Sequence, residues 1–460
     1  MFNIWYITPV FLNTLLIETP VLSFDETRHL TVRTAFGADL SVLLQLRNLN
    51  RSEAVRRMLD RNKQSSPPPY VTPSRVVFRK RKNASREEKQ LIRKRIIGET
   101  NSLKQWWWSE FVTSESPLRE RMTLFWHNHF TSSIRKVRSS DLLLRQNQLF
   151  RKHALGNFSD LLHMMARDPA IIIYLDGHKN RKANPNENFA RELLELFTLG
   201  HGHYTENDVK AAALAFTGWG VDRKSGAFRF SARHHENRNV EFLGWRIVSD
   251  GEQVIERLLR HPRTAELVAE KVWAEFVSDA APERTVIRAW ASRFRKSGYL
   301  MRVLLEDVLV SDEFWDPIHR GSLVKSPVDL LAGAFRELQI PLSDHGMWLS
   351  RRSRQLGQDL FNPPNVRGWP GGISWITSQS LLVRERLVRQ LIRGQEQTGQ
   401  QSMKQMGTDA STKIIRWETQ VPLSMMESWL LPLPAINLQP AADHWKLLSQ
   451  LVADPTYQLR

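Results

Sequence analysis

The chain has 460 residues, 41% of them hydrophobic and 25% charged, an ordinary globular balance with room for a large packed core. Lysine and arginine outnumber aspartate and glutamate by 65 to 48, and the surplus of +17 suits an anionic partner without choosing among nucleic acid, lipid headgroups and acidic protein. The absence of cysteine excludes disulfides, thiolate metal sites and cysteine nucleophiles.

Residues 1–24 open with MFNIWYITPVFLNTLLIETP, which is apolar but lacks a basic n-region and is interrupted by Pro9, Asn13 and Pro20. The segment is too broken to span a bilayer, and it reads as an atypical leader, an interfacial segment or a mis-assigned start. No later stretch reaches 18 uninterrupted apolar residues, so no transmembrane span is expected. Without a recognisable signal, the expected location is cytoplasmic unless the true start lies elsewhere. Two helices follow over 25–60, the second capped by Asp39. SSPPPYVTPS, 65–74, reads as an extended linker. The densest cationic run, RKRKNASREEKQLIRKRIIGE at 79–99, contains the capping box Ser85–Glu88 and predicts a helix displaying Lys89 and Arg93.

SPLRERMTLFWHNHF, 116–130, predicts a helix with Ser116 as N-cap and Pro117 in its first turn. Leu118, Met122, Phe125 and His129 recur on its apolar stripe, and His127 is expected to point elsewhere. In IIIYL, 171–175, periodicity does not separate strand from helix. Thr205 and Asp208 cap the next helix, and 222–247 alternates like a β-hairpin or long loop. Helices resume over 251–340. NPPNVRGWPGGISW, 362–375, is too rich in proline and glycine for regular structure. Residues 394–411 have the composition of a disordered linker, and a last amphipathic helix lies within 441–454. Tryptophans such as Trp126, Trp219, Trp273, Trp290 and Trp315 sit singly in helical segments and are expected in the core. The fold class is therefore all-α: a multi-helix orthogonal bundle with one irregular hairpin or loop insertion near 222–247. The chain divides into the leader at 1–24, a helical core at 25–393, the linker at 394–411 and a segment at 412–460 packing back on the core.

The chemistry concentrates in NPNENFARELLELFTLGHGHYTENDV, 184–209. At 100° per residue Glu187, Asn188, Arg191, Glu192, Glu195 and Thr198 share one arc, while Phe189, Leu193, Leu194 and Phe197 fill the rest. Asn184 or Asn186 suits the N-cap and Gly200 the stop. Glu187–Arg191 and Arg191–Glu195 are i,i+4 pairs, but Glu192–Glu195 is a like-charge pair that in a cleft would demand a cation, a shared proton or a donor. The spacing is half of a helical carboxylate metal motif, yet no histidine follows either glutamate by three, so no metal ligands are assigned. The candidate cluster is Glu187, Arg191, Glu192 and Glu195 with His127 and His129. Asn186, Asn188, Tyr204, His235, Trp369 and Trp375 are candidate binding residues. Trp369 and Trp375 could stack on a ring or sugar, but an aromatic plug under a loop is the favoured expectation. No phosphate loop, dinucleotide fingerprint, nucleophile elbow or HExxH zinc motif occurs, and the cofactor is left unknown.

FWHNHF at 125–130, ALGNFSDLL at 154–162, PNENFARELLELFTLG at 185–200, FTGW at 216–219, HPRTAELVAEKVW at 261–273 and PPNVRGWPGGISWI at 363–376 occur in that order. Together they resemble a bacterial family, the domain of unknown function 1800, over nearly the whole chain. The resemblance implies a mostly helical fold, commonly with an export signal, and no reaction. It also implies a partner: the genes often neighbour those of an exported protein resembling the alkaline phosphatase and sulfatase superfamily. Where the family has His-Asp, then a lysine, then Leu-Gly, this chain has His235–Glu236, Val240 and Leu243–Gly244, so a role needing that lysine is in doubt. The leading expectation is a scaffold or binding protein. The alternatives are a hydrolase using the glutamates and histidines, and a polyanion binder using the cations of 79–95, with nucleic acid ranked below protein as partner.

Overall fold

The computed structural model describes residues 20–61, 63–73, 84–222, 224–248, 250–342, 345–405 and 417–460. The chain is mainly helical. Among the described residues, strands are confined to two two-stranded antiparallel sheets, Trp219–Val221 with Phe228–Phe230 and Asn239–Phe242 with Trp245–Val248. The insertion expected as one hairpin is thus two, each too short to stand without the helices beside it.

Local caps begin the helices where the sequence places them. Asp39 accepts from Ser41 and Val42 N–H ahead of Leu40–Leu46, and Ser85 and Thr205 form full capping boxes with Glu88 and Asp208. At Ser116 the hydroxyl makes no cap bond to its own helix and instead accepts from Lys63 N at 2.8 Å, because the 65–73 linker enters there. IIIYL is helical, Pro169–Tyr174, with Asp168 as its cap. The helix Ser378–Gln405 enters the 394–411 segment, and residues 406–416 lie outside the described residues. Residues 1–19 of the expected leader also lie outside them, whereas Val21 bridges Asn50, Leu22 is buried and Ser23 caps Phe24–Thr34.

The central element is Arg86–Thr113, about 42 Å long at 1.5 Å per residue. Trp106, Trp107 and Trp108 are consecutive and all buried. Three successive residues sweep about 200° of a helix, so this turn is enclosed on more than one side. Pro327–Glu337 and Gly346–Gln355 pack on it, and Pro117–His129 lies against both it and Ser140–Lys152. Pro262–Phe276 packs on Arg284–Lys296. Trp126, Trp219, Trp273, Trp290 and Trp315 are all in the core.

A buried ion network ties these layers together. Arg121 bonds Glu275 at 2.8 Å, Asp329 at 2.6 Å and the Ala35 carbonyl at 3.1 Å. Arg460 reaches Glu275 at 3.2 Å and Asp329 at 3.6 Å, and Val324 bridges Leu459, so the C-terminal residues close on the same centre. Burial pushes the Asp329 carboxyl up, but the guanidiniums of Arg121 and Arg460 hold it well below the usual carboxylate range. Replacing Arg121 by methionine keeps volume and removes the principal partner of buried Asp329, leaving it and the partly exposed Glu275 to Arg460 alone. Urea denaturation at pH 7 should show a loss of about 3–5 kcal/mol, and a loss under about 1 kcal/mol would show that the network does not hold the layers.

Candidate functional site

The 184–200 stretch is not one regular helix. Asn180 Oδ1 accepts from Asn186 N at 2.9 Å, and Asn186 Oδ1 accepts from Asn188 N at 3.1 Å. The α-helix is only Asn188–Glu192, starting later than an N-cap at Asn184 or Asn186 would place it. From Leu193 to Thr198 the chain is π-helical, with Leu199 N and Gly200 N both donating to Leu194 O, at 2.8 and 3.2 Å. In an α-helix Gly200 N would serve Leu196 O. Here Lys271 Nζ takes that carbonyl at 2.8 Å and also donates to His129 Nδ1 at 2.8 Å. Gly200, at φ +81°, then reverses the chain.

The wider turn breaks the 100° wheel. Thr198 is buried, its hydroxyl bonded to Leu193 O, and Asn188 turns inward to the Leu175 carbonyl at 2.9 Å. What remains outward is a partly exposed acidic face. Arg191 pairs with Glu187 at 3.0 Å and forks onto both oxygens of Glu206 at 2.7 and 2.8 Å. The expected Arg191–Glu195 pair is not made, because Glu206 offers the guanidinium a two-oxygen partner. Glu195 accepts instead from Arg367 at 3.0 Å and from the Tyr204 hydroxyl at 3.1 Å. Burial and the bond to Glu195 push the Tyr204 hydroxyl up to about 12. Glu192 makes no hydrogen bond or ion pair among the described residues. Burial, then the charge of Glu195, pushes its carboxyl up.

The histidines lie on the other side. His127 is 1% exposed, its ring centroid 5.3 Å from Trp107 and 5.5 Å from both Phe361 and Trp369. Neither of its nitrogens has a hydrogen-bond partner among the described residues, and burial drives its basicity down to about 3. His127 does diverge from His129, as expected, but the helix is covered on both sides. His129 is stacked on Phe125 and wedged against Phe130 and Phe197. Burial, then the charge of Lys271, lowers it well below the ordinary imidazole range. Burial lowers Lys271 itself to about 8. The expected convergence of glutamates and imidazoles is therefore not formed by hydrogen bonds among the described residues. Lys271 and the Leu196 backbone link the two groups, beside the ring contact of His129 with Phe197.

The loop after Leu360 completes the face. Trp369 N donates to Asn128 Oδ1 at 2.7 Å, and a Cβ on Gly368 (φ +84°) would fall 2.1 Å from that oxygen, so only glycine fits. Trp369 and Trp375 are 4% and 7% exposed, an aromatic plug and not a stacking platform. Arg367, 74% exposed, leaves the loop to reach Glu195. His235 lies away from this face, its Nδ1 on the Thr217 carbonyl at 2.8 Å. His201 and His203 are exposed in the turn. Among the described residues no three histidine, aspartate or glutamate side chains converge on a metal position. Sequence reasoning missed Lys271, Arg367, Glu206 and Asn128. Lys271 carried one signal, a lone cation within the apolar VAEKVW run.

The family described as "Protein of unknown function (DUF1800)" matches residues 29–459. No curated protein and no solved structure matches the chain.

A histidine whose folded basicity is depressed stays neutral in the native state, so its contribution to stability is intact above the unfolded value near 6.5 and is lost as pH falls below it. For His127, fully buried with a folded value of about 3, the loss between pH 7 and pH 5 is about 2 kcal/mol. His127→Phe should remove about that much of the acid dependence in paired denaturation curves. An unchanged pH slope would show that His127 titrates normally in the folded chain.

Proposed function

From the premise that the chain belongs to the DUF1800 family, we propose that it is a helical binding protein whose recognition surface is the acidic face of 187–206. The observation that carries this reading is Glu192. Its carboxylate is half-buried and unengaged among the described residues, whereas its neighbours are already bonded: Glu187 and Glu206 to Arg191, and Glu195 to Arg367 and Tyr204. The bonded groups hold the shape of the face, and Glu192 is left to accept from a partner's ammonium, guanidinium or hydroxyl. Four carboxylates against two guanidiniums make an acidic island on a chain of net charge +17. Such an island discriminates against anionic partners and draws a cationic segment of another protein.

A second reading, hydrolysis with Glu192 as proton donor, is favoured by the upward push on its carboxyl. It lacks a neighbouring base, since both imidazoles are sealed in the core and every other carboxylate of the face is ion-paired.

Glu192→Gln and Glu192→Arg variants separate the two readings. Tagged chains recovered from native cells should keep their melting temperature, yet Glu192→Arg should lose the co-purifying partner almost wholly and Glu192→Gln in part. If wild type turns over any member of an esterase, phosphatase and glycosidase panel, and Glu192→Gln abolishes it, the binding reading gives way to the hydrolase. An identical partner yield from all three chains would also overturn it.

A further inference from the structure

A second surface, remote in sequence from the acidic face, is of opposite sign. Along the outer half of Arg86–Thr113 runs a groove of about 820 Å³. Lys89 and Arg93 line one wall, Arg135 and Arg138 come from the turn around Ile134–Val137, and Arg354 comes from Gly346–Gln355. None of these five makes an ion pair among the described residues. Lys104, at the closed end, is paired with Asp359, and Asn362 donates to the same carboxylate at 2.9 Å, so the one acid of the lining is already occupied. Glu87 and Glu88, at the mouth, are held by Ser85 in the helix cap.

Between the cations three isoleucines share the lining with Thr100, Asn101 and Asn362. Ile96 is its buried floor, Ile134 is half-buried, and Ile97 is 51% exposed despite being a large aliphatic side chain. From Lys89 to Lys104 the wall is about 22 Å long, four turns of helix. We propose that this groove is a docking site for an acidic amphipathic segment of another polypeptide, whose aliphatic side chains rest on the isoleucines and whose carboxylates meet Lys89, Arg93, Arg135, Arg138 and Arg354. The observations favour this occupant over other anions. Among the described residues no aromatic side chain lines the groove, so nucleobases find no stacking platform there. A bilayer surface is flat and does not follow a recessed floor. Five unpaired cations contributed by three elements around the groove match a chain of carboxylates better than a single small anion. The basic run at 79–83 lies outside the described residues and takes no part in this assignment.

The test uses the full chain and a fluorescent sixteen-residue peptide with leucines and glutamates at helical spacing. Fluorescence anisotropy at low and high salt should show saturable, salt-weakened binding. Arg93→Glu/Arg135→Glu and, separately, Ile97→Asp should each weaken it by roughly tenfold or more without changing the melting temperature, since these side chains are exposed. A polyglutamate of equal length should bind more weakly than the amphipathic peptide. The proposal is overturned if the peptide does not bind, if both variants bind as wild type does, or if single-stranded DNA or anionic vesicles bind more tightly than the peptide.

Discussion

One buried amine organises the region around the acidic face. Lys271 Nζ holds the Leu196 carbonyl and the His129 ring at once. A lysine in an apolar setting must satisfy its donors or lose its charge, and this one meets two acceptors, one of them a backbone carbonyl that the helix would otherwise have used. That carbonyl lies within the π-helical stretch 193–198, at whose end the Leu199 and Gly200 amides both bond Leu194 O. Lys271 thereby links the helix of 262–276, the histidine helix of 117–129 and the glutamate stretch, beside the Arg263 bond to Leu199 O and the packing of His129 on Phe197.

The consequence is a division of labour between sides. The imidazoles face inward, one as acceptor for Lys271 and one inside an aromatic box, while the carboxylates face outward. Arg367 reaches Glu195 only because Asn128, the residue between the two histidines, anchors the loop backbone at Trp369. The histidine helix therefore shapes the acidic face through Asn128 and Lys271, with its rings taking no direct part. A surface built this way is pre-organised, which lowers the ordering cost of binding. The basic groove lies at a different place on the scaffold, so the chain presents two surfaces of opposite charge.

Much of the architecture was legible in the sequence because it rests on short-range physics. The boxes at Ser85–Glu88 and Thr205–Asp208 lie three residues apart and appear as written. Trp126, Trp273, Trp290 and Trp315 are core residues on helices and Trp219 is one on a strand, and the change from helical period to alternation near 222 does mark strands. The candidate face was half legible. Glu187–Arg191 is an i,i+4 pair and formed. The π-turn was not legible, and neither were the contacts of Lys271 with Leu196 across 75 residues and of Arg367 with Glu195 across 172. A helical wheel assumes a regular ladder and registers neither a widened turn nor a distant partner.

The account stands on the imidazoles being structural and the carboxylates being the exposed chemistry. Nitrogen-15 NMR of histidine-labelled protein, followed from pH 8 to pH 5, tests this most directly. The account predicts that His127 and His129 stay neutral across the range, with His129 protonated on Nε2 and its Nδ1 acting as acceptor. An inflection between pH 6 and 7 for either ring, displaced in a Glu195→Gln variant, would contradict it, because it would show an imidazole electrically coupled to the acidic face.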